Sequence, residues 1–305
     1  MEAQFNNIER PSVPYMDDML NSPVPVLDKG FVRVVDYMGN DEAIVQAARV
    51  SYGQGTVHGS SDEGLIRYLM RRWHTTPFEM CEVKLHVKLP IFVARQWIRH
   101  RTANVNEYSA RYSILDREFY FPATSDVSYQ STSNNQGREG MLHQTKAQDF
   151  VDMLTDGANE AYDNYMRAVT PVAEGGEGIA RELARMNLPT NIYTQWYWKV
   201  DLHNLLHFLR LRADPHAQME IRVYADAICK IVEGWVPYAY KAFEDYQLNA
   251  QQFSSMEMQA LKTLLTSASW TEADQEEWVS DNAGHFGLSK REVNEFIAKI
   301  KGDTA

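Results

Sequence analysis

The residues best suited to chemistry crowd into one stretch, Arg95-Gln-Trp-Ile-Arg-His-Arg-Thr-Ala-Asn-Val-Asn-Glu-Tyr-Ser-Ala-Arg111. It holds four arginines, one histidine and one carboxylate, Glu107. A guanidinium is a planar fork of donors that grips phosphate or carboxylate oxygens two at a time. Asn104, Asn106 and Ser109 add neutral hydrogen-bonding groups. Such a set suits a ligand with a phosphate and a polar heterocycle. A solvated basic helix end followed by a turn has the same composition, so composition alone leaves both readings open. Downstream, His203, His207 and Arg210 recur at i, i+4 and i+7. Two histidines one turn apart can chelate a metal. No HExxH motif and no obvious third ligand accompany them, so no metal is expected, and a solvated polar helix face is the alternative.

These residues need elements to hold them. Cys81, Val83, Leu85, Val87 and Leu89 alternate with polar residues, the period of a half-buried strand. Pro90 closes that strand and suits the first turn of a helix over Ile91 to Arg101. Ile192, Thr194, Trp196, Trp198 and Val200 alternate as a second strand. Asp201 then caps a helix with Leu202, Leu205, Leu206 and Leu209 on one face. Helices are also predicted after Asp41, over 62–73, over about 145–169 and over about 176–187. Another starts at Asp214-Pro215 and runs to about 246, bent at Pro237. Residues 123–140 are rich in Gly, Ser and Asn and read as a mobile loop. Residues 1–27 read as an irregular arm, 28–246 as the main domain and 247–305 as a helical C-terminal extension. In that extension Ser289 and Glu292 form a capping box. The expected fold is α+β, a mixed sheet flanked by helices.

Composition narrows the classes. Lys and Arg number 30 against 41 Asp and Glu in 305 residues, a net charge of −11. That argues against a nucleic-acid-coating protein. No run of 18 apolar residues exists and the first residues do not resemble a targeting signal. A cytoplasmic protein with no membrane and no nucleic-acid partner is expected. The two cysteines exclude a disulfide scaffold. Cys81 lies in phase with Val83 and Leu85, and Cys229 sits beside Ile228 and Ile231, so both read as core. On these residues alone, a metal-dependent nucleotide hydrolase using His203 and His207 also stands, as does a non-catalytic nucleic-acid binder using 95–111.

The order of residues goes further. Arg99-His100-Arg101, then Asn106-Glu107, Ser109 and Arg111, resembles RHRxxSxNExSxR, the signature of flavin-dependent thymidylate synthases. Asn104 stands where that family often has Ser. Other stretches look like the family's landmarks in the same order. They include Ala48-Arg-Val-Ser-Tyr52, His74-Thr-Thr-Pro-Phe-Glu79, Glu182-Leu-Ala-Arg185 and Leu211-Arg-Ala-Asp-Pro-His-Ala-Gln218. The resemblance spans about 28 to 240 and implies the thymidylate synthase-complementing fold.

The resemblance also implies a reaction. dUMP is methylated to dTMP, with methylenetetrahydrofolate as carbon donor, NADPH as reductant and FAD as hydride source. No cysteine nucleophile is needed. Arg212 would contact the uracil edge and favour ionisation of the ring. Gln96, Arg99, Glu107, Ser109, Arg111 and Arg185 map onto dUMP-binding positions, with Tyr108 and Ala110 contributing backbone contacts. Ser109 is assigned a positioning or polarising role. Arg99, His100, Arg101, Thr102, Asn106 and Glu107 map onto the FAD side, joined by Ser51, His74, Thr76 and Glu79. His74 would lie near the flavin–folate pocket as a catalytic residue. Asp201, His203 and His207 align with flavin-adenosine contacts. The family implies a homotetramer with active sites between subunits.

Overall fold

The computed structural model describes residues 10–50, 61–132, 137–267 and 271–301. They fall into two compact units, Met1–Asn249 and Ala250–Ala305. The first is α+β. Its strands are β1 (Pro23–Val26), β2 (Gly30–Met38), β3 (Glu82–Pro90), β4 (Asn104–Glu107), β5 (Ser128–Gln130), β6 (Arg138–Met141) and β7 (Tyr193–Asp201). Its helices begin with α1 (Pro14–Met19), α2 (Asp41–Arg49), α3 (Asp62–Arg71), α4 (Thr76–Glu79) and α5 (Ile91–Trp97). They continue with α6 (Gln144–Val169), α7 (Arg181–Ala184), α8 (Leu202–Arg212), α9 (Met219–Trp235) and α10 (Pro237–Phe243).

Five strands make one sheet in the order β1-β2-β3-β7-β4. Each pair of these strands is antiparallel, so the sheet is not mixed as expected. The strict alternation in β3 and β7 produces one dry face. Val83, Leu85, Val87 and Leu89 are buried opposite Val200, Trp198, Trp196 and Thr194. Helix α9 covers that face with Ile221, Tyr224, Ala225, Ile228, Ile231 and Val232, all buried. The recurrence at three and four residues is the apolar stripe of a core helix. Both cysteines lie in this core. The other sheet face is polar. His86 stacks on Tyr197 with ring centres 5.0 Å apart and bonds Gln195 at 2.9 Å, while Lys199 pairs with Glu82 at 2.9 Å.

Several boundaries differ from expectation. The arm before residue 28 is not irregular throughout, because it holds α1 and β1, and Met16 is fully buried. The segment 123–140 is not simply a loop. It holds a short 3₁₀ turn and the β5–β6 hairpin, anchored where Arg138 meets the buried carboxylate of Glu220 at 3.1 Å. The helix near 176–187 shrinks to Arg181–Ala184 with a following 3₁₀ turn. The long helix starts at Met219, because Asp214 folds back to accept from His216 N–H at 2.7 Å. It breaks outright at Val236, with Pro237 opening α10.

The second unit contains α11 (Ser255–Ser267), α12 (Glu272–Asn282) and α13 (Lys290–Lys301). The Ser289–Glu292 capping box forms, with Ser289 N–H donating to Glu292 Oε2 at 2.9 Å. Among the described residues, no helix is long and apolar enough to cross a membrane.

Candidate active site

The sheet carries the arginine-rich stretch at its edge. Helix α5 follows β3 at Pro90, and the chain returns as β4 against β7. β4 pairs Asn106 with Tyr197 and Glu107 with Trp196. Successive side chains on a strand point to opposite faces. Asn106 therefore faces the polar side of the sheet, and Glu107 faces the tryptophan side. The two sequence neighbours are divided between two surfaces.

On the tryptophan side lies a cleft of about 650 Å³. Its lining includes Arg95, Glu107, Tyr108, Ser109, Ala110, Glu182, Arg185, Met186, Thr194 and Trp196. Glu107 is held there by the hydroxyl of buried Thr194, which donates to its Oε1 at 2.9 Å. Tyr108 is fixed by its N–H to Gln195 O at 2.8 Å and by its phenol to Ile114 O at 3.2 Å. Ser109 Oγ accepts from Arg111 N–H at 3.3 Å, a turn-forming contact rather than activation by a base. Arg111 pairs with Glu182 at 3.2 Å across the rim. Arg95 and Arg185 form no ion pair among the described residues. Gln96 bonds the side chain of Gln218, just before α9, and does not line the cleft.

A second groove, of about 350 Å³, gathers Arg99, His100, Arg101, Thr102, Trp198, Asn204, His207, Leu211 and Arg212. Among the described residues no carboxylate lines it, so its three guanidiniums favour an anion there. Arg212 Nε donates to His100 Nε2 at 3.0 Å. Arginine has no acceptor, so Nε2 offers its lone pair and the imidazole proton sits on Nδ1. Burial, with Arg212 and His207 adding positive charge, pushes the His100 pKa down to about 4. His207 is lowered as well, mainly by burial. Arg212, expected on the nucleotide, thus shares one groove with Arg99, expected on both ligands, and with His100, Arg101 and Thr102, expected on the flavin.

His74 and His203 line a third recess with Trp73, Thr75 and Gln247. His203 and His207 therefore serve different recesses despite their one-turn spacing. Thr76 and Glu79 form the ends of short helix α4 beside this recess and do not line it. Asp201 is committed to capping α8. Its carboxylate accepts from Asn204 N–H at 2.9 Å and Asn204 Nδ2 at 2.8 Å. Its bonded partner Asn204 lines the second groove. Ser51 lies outside the described residues.

Thr194, Arg95, Glu182 and Asn204 had no site role in the sequence reading. Arg95 and Glu182 sit within stretches already singled out, so adjacency was their signal. Thr194 was counted among the core positions of its strand, and only its register opposite β4 reveals the bond to Glu107. The thiols are remote from this chemistry. Burial pushes Cys81 up to about 12 and Cys229 up to about 11, far from a reactive thiolate.

An antiparallel α+β scaffold with unpaired arginines around a cleft and a groove defines a protein that binds anionic small molecules. The family described as thymidylate synthase complementing protein matches residues 33–238. A flavin-dependent thymidylate synthase of Ruegeria pomeroyi is 61% identical over 283 residues, 93% of this chain and 89% of that one. The same-named protein of Gluconobacter oxydans is 55% identical, covering 96% of this chain and 92% of its own. Among solved structures, a UMP/dUMP methylase PolB from Streptomyces cacaoi bound with 5-Br UMP superposes with a TM-score of 0.64 at 33% identity. That match covers 74% of this chain and 98% of the other. The chain belongs to the thymidylate synthase complementing protein family.

Proposed function

We propose that this protein is a flavin-dependent thymidylate synthase that methylates dUMP to dTMP. The observation that carries this reading is the pair of arginine-lined recesses flanking adjacent strands, with Arg212 anchored on neutral His100. The second groove, with three arginines, a hydroxyl and no carboxylate, has the donor set that a dinucleotide pyrophosphate such as that of FAD requires. Arg99, Arg101 and Thr102 would hold it, with His207 alongside. When bound, reduced FAD supplies the hydride that completes the methyl group.

The chain's own residues orient and polarise. Arg185 and Arg111 grip the nucleotide phosphate, Ser109 positions the base, and Arg212 stabilises negative charge on the uracil edge. A fixed guanidinium there favours loss of the ring N–H proton and makes the ring a better carbon nucleophile. His100 accepts from Arg212 Nε and leaves the rest of the fork for substrate. Methylenetetrahydrofolate as carbon donor, NADPH as reductant, His74 beside the folate and a cytoplasmic setting complete the reading. A homotetramer completes the site by apposing the recesses of different copies. The exposed Tyr112, Leu183 and Met186 beside the cleft give such an assembly apolar surface to cover.

The test is the absorption spectrum of the purified protein before and after NADPH, followed by dTMP formation from dUMP and methylenetetrahydrofolate. Flavin bands that bleach with NADPH are expected. A colourless protein that also fails to take up added FAD refutes the reading.

A further inference from the structure

Helix α3 ends in a left-handed turn. Its C-cap is Arg72, and the chain reverses through Trp73 at φ 57°. Trp73 N–H donates to Met70 O at 3.2 Å, and His74 N–H donates to Leu69 O at 2.9 Å. This double closure is the Schellman motif, whose left-handed residue is usually glycine. A Cβ at that position crowds the following carbonyl oxygen, so a tryptophan there is strained. Burial does not explain it, because Trp73 is 52% exposed. The indole instead lies under Arg210, whose guanidinium carbon is 5.9 Å from the ring centre. It borders a narrow crevice of about 10 Å³ with His74, Thr75 and His203, too small to enclose a ring, so a heterocycle would meet the exposed part of the indole. Strain kept without a packing gain, beside residues expected to bind ligand, points to use of the side chain.

We propose that Trp73 is a stacking platform for a planar nitrogen heterocycle, either a flavin ring or the pterin of the folate, with Arg210 bracing the indole. This rests on the flavoenzyme reading. The indole offers a broad flat surface, and stacking a heterocycle on such a face depends on area and polarisability rather than on hydrogen bonds. The arginine fixes the ring plane by a cation–π contact, so the platform is held before the ligand arrives. The Schellman closure aims the side chain in a direction that a continued helix would not permit.

Trp73→Gly and Trp73→Phe separate this role from a structural one. Glycine suits the left-handed position and removes the platform, whereas phenylalanine keeps a platform and keeps the strain. Two constants are measured for each: the dissociation constant for FAD, by flavin fluorescence, and KM for methylenetetrahydrofolate. The glycine variant is expected to weaken one of the two about tenfold. The phenylalanine variant is expected to stay within about threefold of the parent. A weakened FAD constant assigns the flavin ring, and a raised folate KM with FAD unchanged assigns the pterin. Both constants unchanged in Trp73→Gly overturns the proposal. So does a Trp73→Phe variant as weak as Trp73→Gly. A parent protein that binds no FAD at all overturns the underlying flavoenzyme reading instead, which is visible before any variant is made.

Discussion

Replacing His100 with alanine removes one acceptor from Arg212. The bond is 3.0 Å long, from Arg212 Nε to His100 Nε2. The imidazole is itself held edge-on to Phe208, with ring centres 5.0 Å apart, and lies 6.0 Å from the His207 ring. A hydrogen bond involving a charged donor contributes about 1.5–3 kcal/mol. If that energy keeps Arg212 aimed at the uracil edge, its loss lowers kcat/KM for dUMP by about 10- to 150-fold, at about 1.4 kcal/mol per tenfold. His100→Gln puts an amide oxygen near the position of Nε2 and recovers most of the loss. The assay is initial-rate dTMP formation across dUMP concentrations. A His100→Ala enzyme within about twofold of the parent, or a His100→Gln enzyme no better than alanine, refutes the positioning of Arg212 by His100. The same residue sets a pH dependence. Its folded pKa falls from 6.5 to about 4, so between those values the unfolded chain binds the extra proton. Stability from this group is complete above 6.5 and is lost as pH falls toward 4. Burial is the largest cause of the shift, with the charged and titratable neighbours Arg212 and His207 adding to it. His100→Gln therefore loses less melting temperature than the parent on acidification through that window.

Three further outcomes follow from contacts already described. Cys81→Ala and Cys229→Ala, alone or together, keep dTMP formation and lower stability by about 1 kcal/mol each, read by urea denaturation; abolished turnover at unchanged fold restores a thiol to the mechanism. Arg138→Ala leaves the Glu220 carboxylate, which is 5% exposed, with only the Tyr120 hydroxyl at 3.4 Å, and lowers stability by roughly 2 kcal/mol, partly restored by adding Glu220→Gln. An unchanged denaturation midpoint excludes the pair as the anchor of the β5–β6 hairpin. Asp201→Ala removes the cap of α8 and lowers stability by about 1 kcal/mol. A proportionate loss of FAD affinity at constant stability assigns the carboxylate to the ligand instead.

Strands β3 and β7 were legible because their buried residues fall at every second position. β2 was not, for a geometric reason. Its buried residues run Gly30, Val32, Val34 and then Tyr37. A bulge between Val34 and Asp36 shifts the register and switches the buried set from even to odd numbers. A period-2 reading breaks at that point. β4 was missed because all four of its residues are exposed, and its place comes from pairing with β7 rather than from composition. The hairpin in 123–140 hid for the same reason: its strands are polar, and the Arg138–Glu220 contact spans 82 positions. The candidate site was legible as a set of residues but not as an arrangement. Sequence placed Asn106 and Glu107 side by side, and the strand places them on opposite faces. It set Arg99 and Arg212 far apart in the chain, and α5 and α8 bring them to one groove.

The charge arithmetic and the site are linked. With 41 carboxylates for 30 basic side chains, a cation left alone should be rare. Several arginines away from the recesses do have acidic partners, as Arg49 does in Asp62, Arg67 in Asp245, Arg117 in Asp163 and Arg167 in Glu177. Arg95, Arg99, Arg101 and Arg185 have none among the described residues. The two carboxylates that do reach the cleft are occupied, Glu107 by Thr194 and Glu182 by Arg111. Acids are thus kept away from these guanidiniums or satisfied by other groups. The negative remainder of the surface would repel anionic ligands, while these cations would draw them to the two recesses. A uniformly basic protein would hold such ligands anywhere on its surface. An acidic one in which Arg95, Arg99, Arg101 and Arg185 lack acidic partners among the described residues would hold them at the recesses beside Arg212 and Ser109.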